Sequence, residues 1–167
     1  LVEIVPVLQS CYQGFSTGRE AASIEYQGAG LPSSTDEIPL LDTLQSMLLQ
    51  QLQADPAKEQ RAGHTLSGPH RDAFGFTLDG ESAETFGSQG QLKSILLSWK
   101  MAESRYLEAH SGHQPVLLLD DVFSELDELR SRQLLSLAEE FDQVILTAPR
   151  EPGDTIPDRF ERIELSA

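Results

Sequence analysis

The sequence predicts an α/β fold, and three observations carry that prediction. Residues 115–121, PVLLLDD, hold an unbroken apolar run that ends in paired carboxylates. Residues 143–147, QVILT, hold a second such run. Between them, Leu134, Leu135, Ala138 and Phe141 recur at helical spacing over residues 128–141. Apolar runs without polar alternation read as strands buried on both faces, as in a parallel sheet. Strand, helix and strand in that order make a βαβ unit.

The other elements follow along the chain. It opens with LVEIVPVLQSCYQGFSTG and has no initiator methionine, so it is expected to be a segment of a longer protein. Residues 22–27, ASIEYQ, read as a short strand. Residues 28–39, GAGLPSSTDEIP, are a loop rich in Gly, Pro and Ser. Leu41, Leu44, Leu48 and Leu52 then give a helix one apolar face. Residues 54–64, ADPAKEQRAGH, break that pattern as a polar linker. Residues 65–86 predict a hairpin, because Phe74, Phe76 and Leu78 alternate ahead of the turn dipeptide Asp79-Gly80. A long helix follows over residues 89–109, with an apolar stripe of Leu92, Ile95, Leu96, Trp99, Ala102 and Tyr106. The polar tail, residues 150–167, has room for a last strand at RFERIEL, residues 159–165. No internal repeat is present.

Composition narrows the function. A hydrophobic content of 39% over 167 residues suits one core. No apolar run reaches the ~20 residues that cross a membrane, and the start has no signal-peptide pattern. Cys11 is the sole cysteine, which excludes an internal disulfide and fits a reducing cytoplasm. A formal charge of -15, with 12 scattered Lys and Arg, repels phosphate backbones, so this segment alone is a poor tight DNA binder.

Asp120 and Asp121 carry the chemistry. Ligands of open α/β sheets bind beyond the carboxyl ends of the strands, where this pair falls. Successive strand residues point to opposite sides, so one carboxylate can serve a metal-bound phosphate while the next serves the attacking water. Mg²⁺ takes one or two carboxylates plus phosphate oxygens. A bare acid pair also caps helices, solvates turns or serves other two-carboxylate metal hydrolases, so a second feature must decide.

That feature is TFGSQGQLKS, residues 85–94, where the long helix begins. Ser88 is a good N-cap and Gln91 completes a capping box. Gly90 leaves the first turn bare, and such an N-terminus is a ready phosphate site. A well-capped helix with no ligand shows the same pattern.

Together the two features resemble an ATP-binding-cassette ATPase. GSQGQ resembles the signature motif, VLLLDD the Walker B strand and SELD (residues 124–127) the D-loop. Their order resembles the SMC-related subgroup. SGPHRDAFGFTLDG, TFGSQGQLKSILLSWKMAE and PVLLLDDVFSELDELRSRQLL resemble blocks of the RecF family, strongly over residues 65–149 and weakly over 16–64. The chain holds no G-x-x-x-x-G-K-S/T phosphate loop, so the resemblance is to the family's C-terminal portion, without the Walker A lobe. Relatives usually follow the signature Gln with a second Gln or an Arg, which leaves Leu92 and Lys93 without an assigned role.

The resemblance implies the C-terminal part of an ABC-type, SMC-like ATPase head of P-loop NTPase fold, with a partial helical second lobe. Its parts would be a lobe and linker at 1–64, an ATPase core at 65–150 and a tail at 151–167. By the same resemblance Asp120 holds Mg²⁺ through water and Asp121 polarises the attacking water. Ser88, Gln89, Gly90 and Gln91 reach the γ-phosphate of ATP held mainly by another subunit. Ser124 and Asp127 lie in the D-loop, and Thr147 stands where relatives place a phosphate sensor. The complete protein is expected to dimerise through ATP, hydrolyse it slowly and act in a bacterial cytoplasm. There it serves recombinational DNA repair, replication and the SOS response. Its DNA would be gapped or a single/double-strand junction, and its partners mediators that load recombinase. The segment alone is expected to be inactive.

Other features read as structural. In GPHRD, residues 68–72, Pro69 fixes a turn and Arg71 pairs with a nearby acid. The alternative is a nucleotide-state link or a DNA contact through His70 and Arg71. His110 and His113 lack cysteine partners for zinc. Trp99 and Tyr106 read as helix core rather than a base-stacking platform. Two other functions stay open, a nucleotide-independent interaction module and a metal phosphohydrolase using the acid pair alone.

Overall fold

Val5, Leu8, Tyr12 and Phe15 fall three or four residues apart, and they wind the start of the chain into a helix, α1 (Ile4–Ser16), with that face buried. The computed structural model describes residues 2–16, 18–28, 41–54, 56–124, 126–148, 160, 161 and 163. Strand β1 (Ala22–Gln27) follows α1, and helices α2 (Leu41–Ala54) and α3 (Pro56–Ala62) come next. A single 3-10 turn, Pro69–Arg71, leads into β2 (Ala73–Leu78) and β3 (Glu81–Ser82). The short α4 (Ala83–Phe86) and the long α5 (Gln89–Ser111) precede β4 (Leu117–Leu119), α6 (Glu128–Ala138) and β5 (Val144–Leu146).

The strands form two sheets. The first is antiparallel in the order β1-β2-β3. Ile24 faces Phe76 and Tyr26 faces Phe74 across it. The β2–β3 turn places Asp79 at φ 51 and Gly80 at φ 85, the double left-handed geometry that Asp-Gly favours. Asp79 also receives the Ala21 N–H on Oδ1 at 2.8 Å and donates its own N–H to the Ala21 carbonyl at 2.8 Å. The turn is therefore pinned to the start of β1. The second sheet pairs β4 and β5 in parallel, Leu117 with Val144 and Leu119 with Leu146, and α6 makes the crossover. The expected βαβ unit is thus present, and the mixed α/β class holds.

Helix α5 is buried on two faces. Ile95 and Ala102 join Leu8, Tyr12, Ile24 and Leu78 in one apolar cluster. Leu97 and Met101 join Cys11, Phe15, Leu117, Leu119, Val122, Leu134 and Phe141 in another. Helix α1 also serves both clusters, so segments on either side of residue 64 share a core. The buried Ser98 donates its hydroxyl to the Ser94 carbonyl at 2.8 Å, and the buried Ser94 donates to the Gly90 carbonyl at 2.8 Å. Polar side chains thus fit inside the helix packing without an unpaired hydroxyl. Gly112 at φ 70 closes α5, and its N–H meets the Glu108 carbonyl.

Several expectations are corrected. The stripe expected on α5 holds at Leu92, Ile95, Trp99 and Ala102, which lie in or pack against one cluster, and fails at Leu96 and Tyr106, which are 51% and 37% exposed. The second buried face carries serines, which a search for apolar periodicity passes over. Residues 54–64 are not all linker, because α3 spans Pro56–Ala62 with Pro56 at its first position and Gly63 at φ 71 just beyond it. The leucine face of α2 buries no residue. The β4–β5 sheet is covered on one face only: Leu117 and Leu119 are buried, while Leu118 is 67% and Ile145 56% exposed. Arg71 donates from Nε and Nη2 to the Thr65 carbonyl at 3.2 and 3.1 Å, where an acid partner was expected. The loop expected at 28–39 lies outside the described residues from residue 29 on. The strand expected at 159–165 is described only at 160, 161 and 163.

The two faces of α5 give a direct contrast. Ile95→Ala is expected to destabilise the chain by about 2–5 kcal/mol through cavity formation. Leu96→Ala should stay within about 0.5 kcal/mol. Urea unfolding midpoints of the two variants check this.

Candidate functional site

Strand β4 delivers the two acids to the carboxyl end of the parallel pair. Asp120 and Asp121 are both exposed, and the buried Val122 anchors the turn behind them. Asp121 sits at φ 47, in the left-handed region usually left to glycine. Aspartate tolerates it better than most residues, but it still costs on the order of 1 kcal/mol. Neighbouring bonds hold it there. The Asp121 N–H donates to the Thr147 hydroxyl at 3.0 Å, and that hydroxyl donates to Asp120 Oδ1. Thr147 is itself fixed by the ladder, its N–H meeting the Leu119 carbonyl at 2.9 Å. On the other side, the Asp121 carbonyl accepts from Ser124 Oγ at 3.1 Å and from Lys93 Nζ at 2.8 Å.

Asp127 caps the following helix. Its Oδ1 accepts from the Arg130 N–H at 2.8 Å, and its Oδ2 pairs with Arg130 Nη1 at 2.6 Å. Four of the candidate residues, Asp120, Asp121, Ser124 and Thr147, are therefore joined by hydrogen bonds. Asp127 stands just beyond them at the start of α6.

The N-terminus of α5 is built as the capping box requires. Ser88 Oγ accepts from the Gln91 N–H at 3.3 Å, and Gln91 Oε1 accepts from the Ser88 N–H at 2.8 Å. Ser88 and Gln89 are exposed, and Gly90 is half-buried. A contact invisible to local sequence reading secures this end: Gln91 Nε2 donates to Glu20 Oε1 at 2.7 Å. The other oxygen of Glu20 accepts from the Tyr12 hydroxyl at 2.8 Å. Burial, together with that carboxylate, pushes the Tyr12 phenol well above its ordinary pKa. Gly87 is a second residue missed from sequence. A Cβ there would lie 2.4 Å from the Ala83 carbonyl oxygen, so the α4–α5 junction admits only glycine. A shallow cleft of about 160 Å³ opens beside this junction, lined by Glu20, Asp79, Glu81, Phe86, Gly87 and Gln91 among others. It lies at the helix end and not at the acid pair.

The donor set at the acid edge is all oxygen: two carboxylates and the hydroxyls of Ser124 and Thr147. Hard cations such as Mg²⁺ choose such donors, and a phosphate-bound Mg²⁺ needs only one or two protein carboxylates. The residues present fit that ion. The bare, capped start of α5 fits an anionic phosphate. Thr147→Val should remove the strut between the acids and speed amide exchange at Asp121 by about 5-fold, one hydrogen bond's net worth. Thr147→Ser should leave exchange unchanged.

No protein-family model matches the chain. It is 41% identical over 136 residues to the DNA replication and repair protein RecF of Enterococcus faecalis, covering 81% of this chain and 36% of that protein. It is 41% identical over 147 residues to the protein of that name from Moorella thermoacetica, covering 88% of this chain and 36% of that one. A solved structure of the recombination mediator protein RecF-ATPrS in the RecFOR pathway superimposes with a TM-score of 0.70 at 27% identity, over 93% of this chain and 40% of that one. The RecF-ATP structure gives a TM-score of 0.69 at 28% identity. The chain thus spans well under half the length of the relatives it matches.

Proposed function

This chain belongs to the RecF family, and from that premise we propose that it supplies the water-activating acids and the signature helix of a RecF-type ATPase head. The observation that carries the reading is the hydrogen-bonded edge in which Thr147 joins Asp120 to Asp121. In this reading Asp120 holds Mg²⁺ through water, and the ion, when bound, neutralises charge on the phosphate oxygens. The Thr147 hydroxyl has one proton and gives it to Asp120, so Thr147 orients that carboxylate and reports on nucleotide through it. Asp121 lies on the other side of the turn and polarises the attacking water. Ser88, Gln89, Gly90 and Gln91 present N–H groups and a hydroxyl to the γ-phosphate of ATP held mainly by a second copy. Ser124 and Asp127 line the contact between the copies.

Two heads that share each ATP bind it better together than apart, so nucleotide favours the dimer and hydrolysis releases it. This is a switch, and slow turnover suits it. For the complete protein the reading is recombinational repair at single-strand gaps and replication forks, with mediator partners that help load recombinase; the relatives' names support its DNA replication and repair part. The -15 charge of this segment favours DNA contact elsewhere in that protein.

Two variants of the complete protein test the reading. Asp121→Asn should keep ATP-dependent dimerisation, followed by sedimentation, and lose about 100-fold or more in hydrolysis. Ser88→Arg should block dimerisation by placing a bulky charge against the phosphate. An unchanged ATPase rate in Ser88→Arg removes the signature assignment. Loss of dimerisation in Asp121→Asn removes the water-activating one.

A further inference from the structure

Lys93 is the charged residue of the signature segment, the reading above leaves it without work, and its contacts are specific. It lies two residues beyond the capping box on α5, half-buried. Its Nζ crosses to the acid turn and donates to the Asp121 carbonyl at 2.8 Å and to Ser124 Oγ at 3.3 Å. Ser124 Oγ donates to the same carbonyl at 3.1 Å. Both backbone polar groups of Asp121 are therefore held, the N–H from the end of β5 by Thr147 and the carbonyl from α5 by Lys93.

Asp121 needs holding. At φ 47 its backbone is in a conformation that only bonds from its surroundings maintain, and that conformation sets where its carboxylate points. A flexible ammonium on a long stem is a strong hydrogen-bond donor to such a carbonyl. A movement of the first turns of α5 shifts the base of that stem, and so loosens or tightens the grip on Asp121.

We propose that Lys93 is a positioning residue that couples the start of α5 to the acid turn of the same chain. This rests on the reading of Ser88 and Asp121 given above. In that reading Ser88 meets ATP held mainly by the second copy, whereas Asp121 acts on the ATP of its own head. Lys93 then makes the aim of one head's acid depend on the nucleotide met by its signature end. Phosphate engagement at Ser88 steadies α5, Lys93 holds the Asp121 carbonyl, and the carboxylate is presented to the water. Lys93 touches no nucleotide in this scheme.

The test uses the complete protein with Lys93→Met, which keeps the stem and removes the donor, and Lys93→Arg, which restores a donor and the charge. Asp121→Asn runs beside them. Lys93→Met is expected to lower kcat about 10-fold or more through misplacement of the acid. Its KM for ATP should stay within about 3-fold, because no nucleotide contact is lost. Lys93→Arg should recover most of kcat. Amide exchange at Asp121 should quicken in Lys93→Met. An unchanged kcat in Lys93→Met, with Asp121→Asn inactive, overturns the coupling and leaves the site reading intact. A raised KM at unchanged kcat also overturns it, since Lys93 would then be a nucleotide contact. If kcat and KM worsen together with the melting temperature and Lys93→Arg does not rescue, Lys93 is merely structural and the proposal fails. If Asp121→Asn hydrolyses ATP at the normal rate, the underlying site reading fails instead.

Discussion

The double burial of α5 is the constraint on which the rest of this chain depends. A helix with one apolar stripe leaves its other face to solvent. Here Ile95 and Ala102 face the antiparallel sheet, while Leu97 and Met101 face the parallel pair. The helix can lie between two layers because Ser94 and Ser98 satisfy their hydroxyls on its own carbonyls. Packing on both sides sets the resting place of its N-terminus relative to β4 and β5. Ser88, Gln91 and Lys93 inherit that place. The site is thus a consequence of core packing, with its polar groups set at the rim of it.

At that rim, backbone strain and hydrogen bonding oppose each other. Asp121 in the left-handed region gives up stability that a glycine would keep, and no glycine could carry the carboxylate. Thr147, Ser124 and Lys93 together return some of it. They come from the end of β5, from the turn itself and from α5. A turn held from separate elements senses movement in any of them, which is the property a nucleotide-gated acid needs.

What was legible in the sequence was local. The capping box of Ser88 and Gln91, the Asp79-Gly80 turn and the βαβ unit all depend on residues a few positions apart, or on apolar runs that read without context. The acid pair was legible for the same reason, since a strand end followed by a helix start defines an edge. What was missed was long-range or masked by composition. Nothing near Gln91 announces that Glu20, 71 positions away, will hold its amide. Nothing near Asp121 announces Lys93. Helix α1 was overlooked although Val5, Leu8, Tyr12 and Phe15 carry helical spacing, and α3 was hidden by its polar residues. The exposed face at Leu118 and Ile145 was read as buried because apolar runs report the need for cover and not its presence in this chain.

In this reading Asp120 and Asp121 belong to a nucleotide site whose phosphate loop is not among these residues. Calorimetric titration of the 167-residue chain with Mg-ATP tests it most directly. The account predicts no measurable binding up to about 1 mM, a free energy no stronger than roughly −4 kcal/mol. Micromolar binding accompanied by phosphate release would mean that the chain carries a complete site, and would contradict the account.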